Sequence, residues 1–298
     1  MATSSEVYIT TEDGVRLFCR KIGDGPRTLV IPNGFYFLDD LKHVPQDRTI
    51  ICFDLRNRGA SDSITDPAKL ERGVHNDVDD IEAVRRYFGA DAIDLIGHSY
   101  VGVVVILYAM RYRAHAGRIV QIGSAEPYNG KQYPPHLAYT DTVIAEAFGK
   151  IGQWQKEHAG DDPVALCKKF YELLRVIYVA DPANAEKIKW DRCELANERN
   201  LMMYFTGTIL PSLKSLNLDP QEVAKVTSPV LTIHGRKDRS APYGGAREWA
   251  FMLPNARLLT VENAAHAPWI ESPELVLGAV KTFLDGEWPE AAEKVASI

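Results

Sequence analysis

A chain of 298 residues is long for one simple domain and short for two independent ones, so one large core carrying an insertion is the expected organisation. With 46% hydrophobic and 25% charged residues the composition is that of an ordinary globular protein and argues against disorder. The formal net charge of −6 argues against nucleic acid or an anionic membrane as the main partner, since either calls for a basic face; a small molecule or a peptide suits the balance better.

Residues 7–10 and 15–20, divided by Glu12-Asp13-Gly14, predict a strand pair closed by a tight Asp-Gly turn. Two continuous aliphatic runs follow at 28–32 and 49–54, the first ending in Asn33-Gly34-Phe35-Tyr36 and the second in Leu55-Arg56-Asn57-Arg58-Gly59-Ala60-Ser61. Runs that do not alternate suit strands covered on both faces. The turn at 56–61 reads as a structural loop with Asn57 or Gly59 at positive φ. A helix is expected over 76–88, where Val78, Ile81, Val84 and Tyr87 recur at three-residue spacing and Asp77, Asp79 and Asp80 favour the N-terminal end of its dipole.

The chain then reaches Ile93-Asp94-Leu95-Ile96-Gly97-His98-Ser99-Tyr100-Val101-Gly102 and the apolar run 103–110. An aliphatic strand enters a tight turn with a serine at its tip, and a small-residue helix leaves it, which is the layout of a nucleophile elbow. One more buried strand is expected at 117–123. From 125 to 226 strand patterns vanish and amphipathic helices take over, for instance at 164–179, where Leu166, Phe170, Leu173, Leu174 and Ile177 line one face. Strand and helix patterns then alternate again: a strand at 229–235, a helix at 243–252, a strand at 257–261 and a closing helix at 273–284. The residues after Trp288 read as a short surface helix or a frayed end. The fold class is therefore α/β, a mostly parallel eight-stranded sheet with helices on both faces. Residues 1–124 and 227–298 form its core, and residues 125–226 a helical cap at the carboxyl ends of the strands.

A serine hydroxyl is a weak nucleophile near neutral pH and needs a base, held in turn by an acid. After an elbow serine the expected chain order is acid, then histidine. Asp238 lies in the loop after the strand at 229–235 and His266 in the loop after the next strand, and such loops converge at the carboxyl edge of a parallel sheet. Ser99, Asp238 and His266 are the expected catalytic residues. His98 is the rival base, but consecutive side chains diverge at a sharp turn. Glu126 is the rival acid, read as a hinge or pocket residue, and His234 reads as packed core or as support for the site. The backbone N–H groups of Phe35 and Tyr100 are the expected oxyanion donors, with Gly34 allowing close approach.

These motifs, together with Asp54-Leu55-Arg56-Asn57-Arg58-Gly59-Ala60-Ser61, Gly235-Arg236-Lys237-Asp238 and His266-Ala267-Pro268, resemble the α/β-hydrolase superfamily, specifically its capped branch of proline iminopeptidase-like and esterase-like serine hydrolases. The likeness spans almost the whole chain and implies a hydrolase that uses Ser99, Asp238 and His266 and no cofactor. Two departures stand out: Val101 where the usual elbow has glycine, and Asn33-Gly34-Phe35-Tyr36-Phe37 where the usual turn opens His-Gly. The segment Trp190-Asp191-Arg192-Cys193-Glu194 is similar to the cap segment whose glutamate meets the substrate amine in proline iminopeptidases, which makes Glu194 a candidate amine anchor. Tyr36, Trp190 and Trp269 are candidates to line an apolar pocket.

The expected function is cleavage of an ester or amide of a small substrate through an acyl-enzyme on Ser99. A proline iminopeptidase-like aminopeptidase is the second reading, and a hydrolase-fold protein that holds a small ligand is the third. No metal is expected: Cys19, Cys52, Cys167 and Cys193 show neither ligand spacing nor a disulfide pattern, and Cys19 and Cys52 read as buried thiols. Lacking an apolar leader or a run of about twenty apolar residues, the chain is expected in the cytoplasm, away from membranes. The oligomeric state is not encoded in any of these patterns.

Overall fold

The computed structural model describes residues 4–41, 47–158, 160, 162–190 and 192–298; Asp191 of the segment discussed above lies outside them. Eight strands form one sheet: β1 Ser4–Thr10, β2 Arg16–Ile22, β3 Arg27–Pro32, β4 Arg48–Phe53, β5 Ile93–His98, β6 Ala116–Ile122, β7 Val230–Gly235 and β8 Ala256–Val261. Their order is β1-β2-β4-β3-β5-β6-β7-β8. β1 and β2 pair antiparallel across the expected Asp13-Gly14 turn, where Gly14 adopts φ 80°, and β2 pairs antiparallel with β4. Every other pairing is parallel.

The apolar runs explain the two-sided burial. All six residues of β4 and of β7 are buried, because helices cover both faces. One face packs against α1 (Val74–Tyr87), α2 (Tyr100–Arg111) and, further on, α5 (Tyr243–Met252). The other packs against α6 (Pro273–Leu284), through Val276, Val280 and Phe283. α2 is apolar on nearly all sides and is buried from Tyr100 to Ala109, as a helix at the centre of a core must be.

Among the described residues no strand occurs between β6 and β7. That segment carries α3 (Val143–Glu157) and α4 (Pro163–Tyr178), with shorter helical turns after them. Its small core of Ala147, Tyr171, Leu174 and Ile177 surrounds a disulfide between Cys167 and Cys193. This bond corrects the expectation of no disulfide. The two cysteines are 26 residues apart with no spacing signal, and only the return of the chain past α4 brings their Cα atoms to 5.7 Å. Cys19 and Cys52 are buried free thiols, as read from their strands.

The closing residues are also corrected. They are neither helical nor frayed: Leu258 and Glu293 exchange backbone hydrogen bonds of 2.8 and 2.9 Å, and Ala292 is buried. The tail thus adds a bridge to the outer edge of β8. Among the described residues no helix is long and apolar enough to cross a membrane.

Candidate active site

The site forms where β3 and β5 lie side by side and the chain runs off them to opposite sides, the place where open α/β sheets bind ligands. Ser99 sits between β5 and α2 at φ 58° and ψ −131°, a conformation that non-glycine residues avoid and that surrounding structure must impose. The surroundings do so. The Ser99 N–H donates to the Ile122 carbonyl at 3.1 Å, and the Ser99 carbonyl accepts from Gly102 at 2.9 Å and Ala125 at 3.1 Å. A Cβ at Gly97 would come within 2.5 Å of the Val101 carbonyl oxygen, and one at Gly102 within 2.5 Å of the Ser124 hydroxyl. The close approach that an elbow needs therefore falls on Gly102, and Val101 is free to turn its side chain to the cavity wall. Below the elbow helix, buried Gln121 donates to the Gly102 carbonyl at 2.9 Å and accepts from Thr232 at 2.9 Å, a support that no sequence pattern announced.

His266 is buried, and its Nδ1–H donates to Asp238 Oδ2 at 2.7 Å. The other carboxylate oxygen accepts the backbone N–H groups of Ser240 (2.8 Å) and Ala241 (2.9 Å). Burial alone would push the Asp238 carboxyl up; His266 and His234 beside it outweigh that and hold it well below the usual carboxylate range. His234 is buried; its Nε2 lies 3.3 Å from Asp238 Oδ2 and donates to the Ala241 carbonyl at 3.0 Å. His266 Nε2 is buried without a hydrogen-bond partner among the described residues and borders the cavity that Ser99 also lines.

The rivals point elsewhere. His98 Nε2 donates to the carbonyl of His266 at 2.9 Å, and its Nδ1 accepts from the Tyr36 hydroxyl. Burial, with His266 adding to it, keeps its pKa well below the usual histidine value, so it is a neutral strut. Glu126 accepts the N–H of Gly130 at 2.8 Å and packs on Gly245.

The cavity holds about 330 Å³, enough for a small substrate. Its floor includes Asn33, Phe35, Ser99 and Tyr100 from the strand ends; Ile144, Phe148, Tyr171, Leu174, Ile177 and Trp190 from the helical segment close over it. Tyr100 opens α2, so its N–H has no intrahelical acceptor. Phe35 follows Gly34, where a Cβ would meet Ile31 at 2.3 Å, so the turn requires glycine. Tyr36 and Trp190 line the cavity as expected.

Two of the expected pocket residues do not. Trp269 is 3% exposed and packs edge-on against His98, with ring centroids 4.9 Å apart, behind the cavity wall. Glu194 has a side chain 64% exposed and pairs with Lys168 at 3.0 Å, so it cannot meet a substrate amine in this arrangement. The carboxylate of this segment that lines the cavity is Glu198, four residues further along. It accepts from the Tyr171 hydroxyl at 2.8 Å and from the Gly59 N–H at 2.9 Å.

The loop after β4 also proves to be more than a structural turn. Asn57 and Gly59 take positive φ of 57° and 48°, as expected, but Asp54 and Arg58 reach the cavity. Asp54 is held by Arg192 through two hydrogen bonds of 2.7 and 2.8 Å, and Arg58 faces Glu198. Among the described residues no cluster of three or more histidine, cysteine, aspartate or glutamate side chains could hold a metal ion.

The architecture and the elbow define a family, and comparison with known proteins agrees: the profile described as the alpha/beta hydrolase fold matches residues 33–273. The chain belongs to that family. It is 24% identical over 239 residues to a proline iminopeptidase of Pestalotiopsis fici, covering 79% of this chain and 81% of that one. It is 26% identical over 293 residues to an AB hydrolase superfamily protein of Bacillus subtilis, covering 93% and 98%. Among solved structures, an esterase from Exiguobacterium antarcticum superposes with a TM-score of 0.71 at 18% identity, over 95% of this chain and all of that one. A serine hydrolase from Cycloclasticus zankles gives 0.73 at 18%, over 95% and 99%.

Proposed function

We propose that the protein is a serine hydrolase that cleaves an ester of a small substrate through an acyl-enzyme on Ser99. The observation that carries this is the pairing of a strained Ser99 with a His266 whose Nδ1 is tied to Asp238 and whose Nε2, without a hydrogen-bond partner among the described residues, borders the same cavity. In this reading His266 Nε2 takes the Ser99 proton as Oγ attacks the carbonyl carbon. Asp238 stays ionised and fixes the imidazole tautomer. The N–H groups of Phe35 and Tyr100 receive the negative charge on the carbonyl oxygen, each contributing about 3 kcal/mol to the transition state. His266 then returns the proton to the leaving alcohol, and water repeats the sequence to release the acid. Residues 125–226 act as the cap, and 1–124 with 227–298 as the core.

An aminopeptidase is the weaker reading although a relative bears that name. A substrate amine needs a free carboxylate; Glu194 faces solvent and Glu198 is already engaged by Tyr171 and Gly59.

A fluorophosphonate probe should label wild-type protein on Ser99 and leave Ser99→Ala unlabelled. Equal labelling of the two would end the proposal. Turnover of p-nitrophenyl esters against proline p-nitroanilide separates esterase from aminopeptidase.

A further inference from the structure

Arg58 is a nearly buried cation on the wall of the central cavity that forms no close ion pair. Its side chain is only 12% exposed, its Nε has no hydrogen-bond partner among the described residues, and its nearest carboxylate oxygen, on Glu198, stands 3.6 Å away, beyond hydrogen-bond length. A guanidinium carries five N–H donors, and among the described residues those of Arg58 meet the Tyr100 hydroxyl and, at longer range, Glu198, so capacity for a carboxylate remains. The carboxylates that could quench it are spoken for. Asp54 is clamped by Arg192, and Glu198 takes the shorter bonds from Tyr171 and Gly59. Asp77, further below, is 1% exposed, and its burial favours the uncharged acid. The cavity wall thus holds three cationic side chains, Arg58, Lys189 and Arg192, against two carboxylates, Asp54 and Glu198.

From this we infer that the substrate carries its own carboxylate, which Arg58 binds while the ester lies at Ser99: a half-ester of a short dicarboxylic acid. This rests on the ester hydrolase reading above and narrows its substrate class. A planar guanidinium meets a carboxylate through two parallel N–H···O bonds, a geometry that a neutral ester end cannot match and an ammonium group would oppose. The aromatic and aliphatic lining, with Tyr100, Phe205 and Ile144, suits the methylene chain between the two ends. The site then discriminates by charge at one end and by reactivity at the other.

The test compares monomethyl esters of succinate, glutarate and adipate with the corresponding dimethyl esters. For at least one chain length, kcat/KM should favour the half-ester by tenfold or more. Arg58→Gln should reduce that preference at least tenfold, and Arg58→Lys should keep part of it. A wild-type preference for the dimethyl esters, or a preference unmoved by Arg58→Gln, would overturn the inference. Calorimetric binding of the same compounds to Ser99→Ala protein reads the anion site without turnover. Tighter binding of the half-ester there, lost on adding Arg58→Gln, supports the anion site even if Ser99 proves unreactive, whereas equal binding of the two ester types rejects it even if Ser99 is labelled normally.

Discussion

Arg192 grips Asp54 with both terminal nitrogens, Nη1 to Oδ1 at 2.7 Å and Nη2 to Oδ2 at 2.8 Å, and so fastens the helical segment to the loop after β4. Asp54 is 1% exposed and Arg192 about 30%, so the two halves of the pair respond differently to loss of the partner. Arg192→Met leaves a carboxylate stranded in the interior and should cost about 3 kcal/mol, the low end for breaking a buried pair. The double variant Asp54→Asn/Arg192→Met removes both charges and should recover at least half of that. Urea denaturation of the single and double variants measures the coupling; additive losses would show that the pair does not act as a unit.

Asp77 is a buried acid with neither oxygen hydrogen-bonded among the described residues. Burial, reinforced by Asp80, pushes its carboxyl well above the usual carboxylate range against the opposing pull of Arg56 and Arg58. The folded pKa is raised, so its stabilising contribution is complete below the ordinary carboxylate pKa of about 4 and is lost as pH rises toward the folded value. Asp77→Asn removes that titration. Its melting temperature relative to wild type should therefore move upward between pH 4 and pH 8, and a difference that stays constant across this range would contradict the burial account.

Both free thiols are fully buried; burial pushes Cys19 up to about 12 and Cys52 well above the usual thiol value, so native protein should take up no iodoacetamide. After mild reduction, Cys167 and Cys193 should become available as their segment loosens. For a loop closed across 26 residues, losing the bond costs about 3 kcal/mol. Mass spectrometry of labelled peptides and thermal melts with and without reductant check both statements, and native labelling at Cys167 would show that the bond is absent.

Glycines in this chain divide sharply by neighbourhood. A methyl group at Gly97 would press on the Val101 carbonyl, so Gly97→Ala should distort the elbow and cut fluorophosphonate labelling at least tenfold. Gly149 in α3 has nothing within 4 Å of an added Cβ, and Gly149→Ala should stabilise by about 0.5–1 kcal/mol. Gly97→Ala should lower the labelling rate and Gly149→Ala should raise the melting temperature while leaving labelling unchanged.

What was legible in the sequence was whatever depends on local pattern. Continuous aliphatic runs announced β3, β4, β5 and β7, and the Gly97-His98-Ser99 turn between a strand and an apolar helix announced the elbow. Asp238 and His266 were readable because parallel strands send their following loops to one edge. Features set by approach from a distance were not readable. Glu194 and Glu198 stand four residues apart, and only the contacts of Glu198 with Gly59 and Tyr171 decide which of the two lines the cavity. Trp269 has the composition of a pocket residue but is drawn inward by His98 and Phe37. Arg58 sits in a turn whose positive-φ residues were foreseen, yet its direction depends on the helical segment folding over it.

Through the backbone exchange between Leu258 and Glu293 the closing segment shields part of the outer edge of β8. A β8 without that bridge offers unpaired N–H and C=O groups to any other exposed strand. A version ending just after α6, at Leu284, would keep every residue of the candidate active site and yet leave Leu258 unpaired at the sheet margin, inviting self-association.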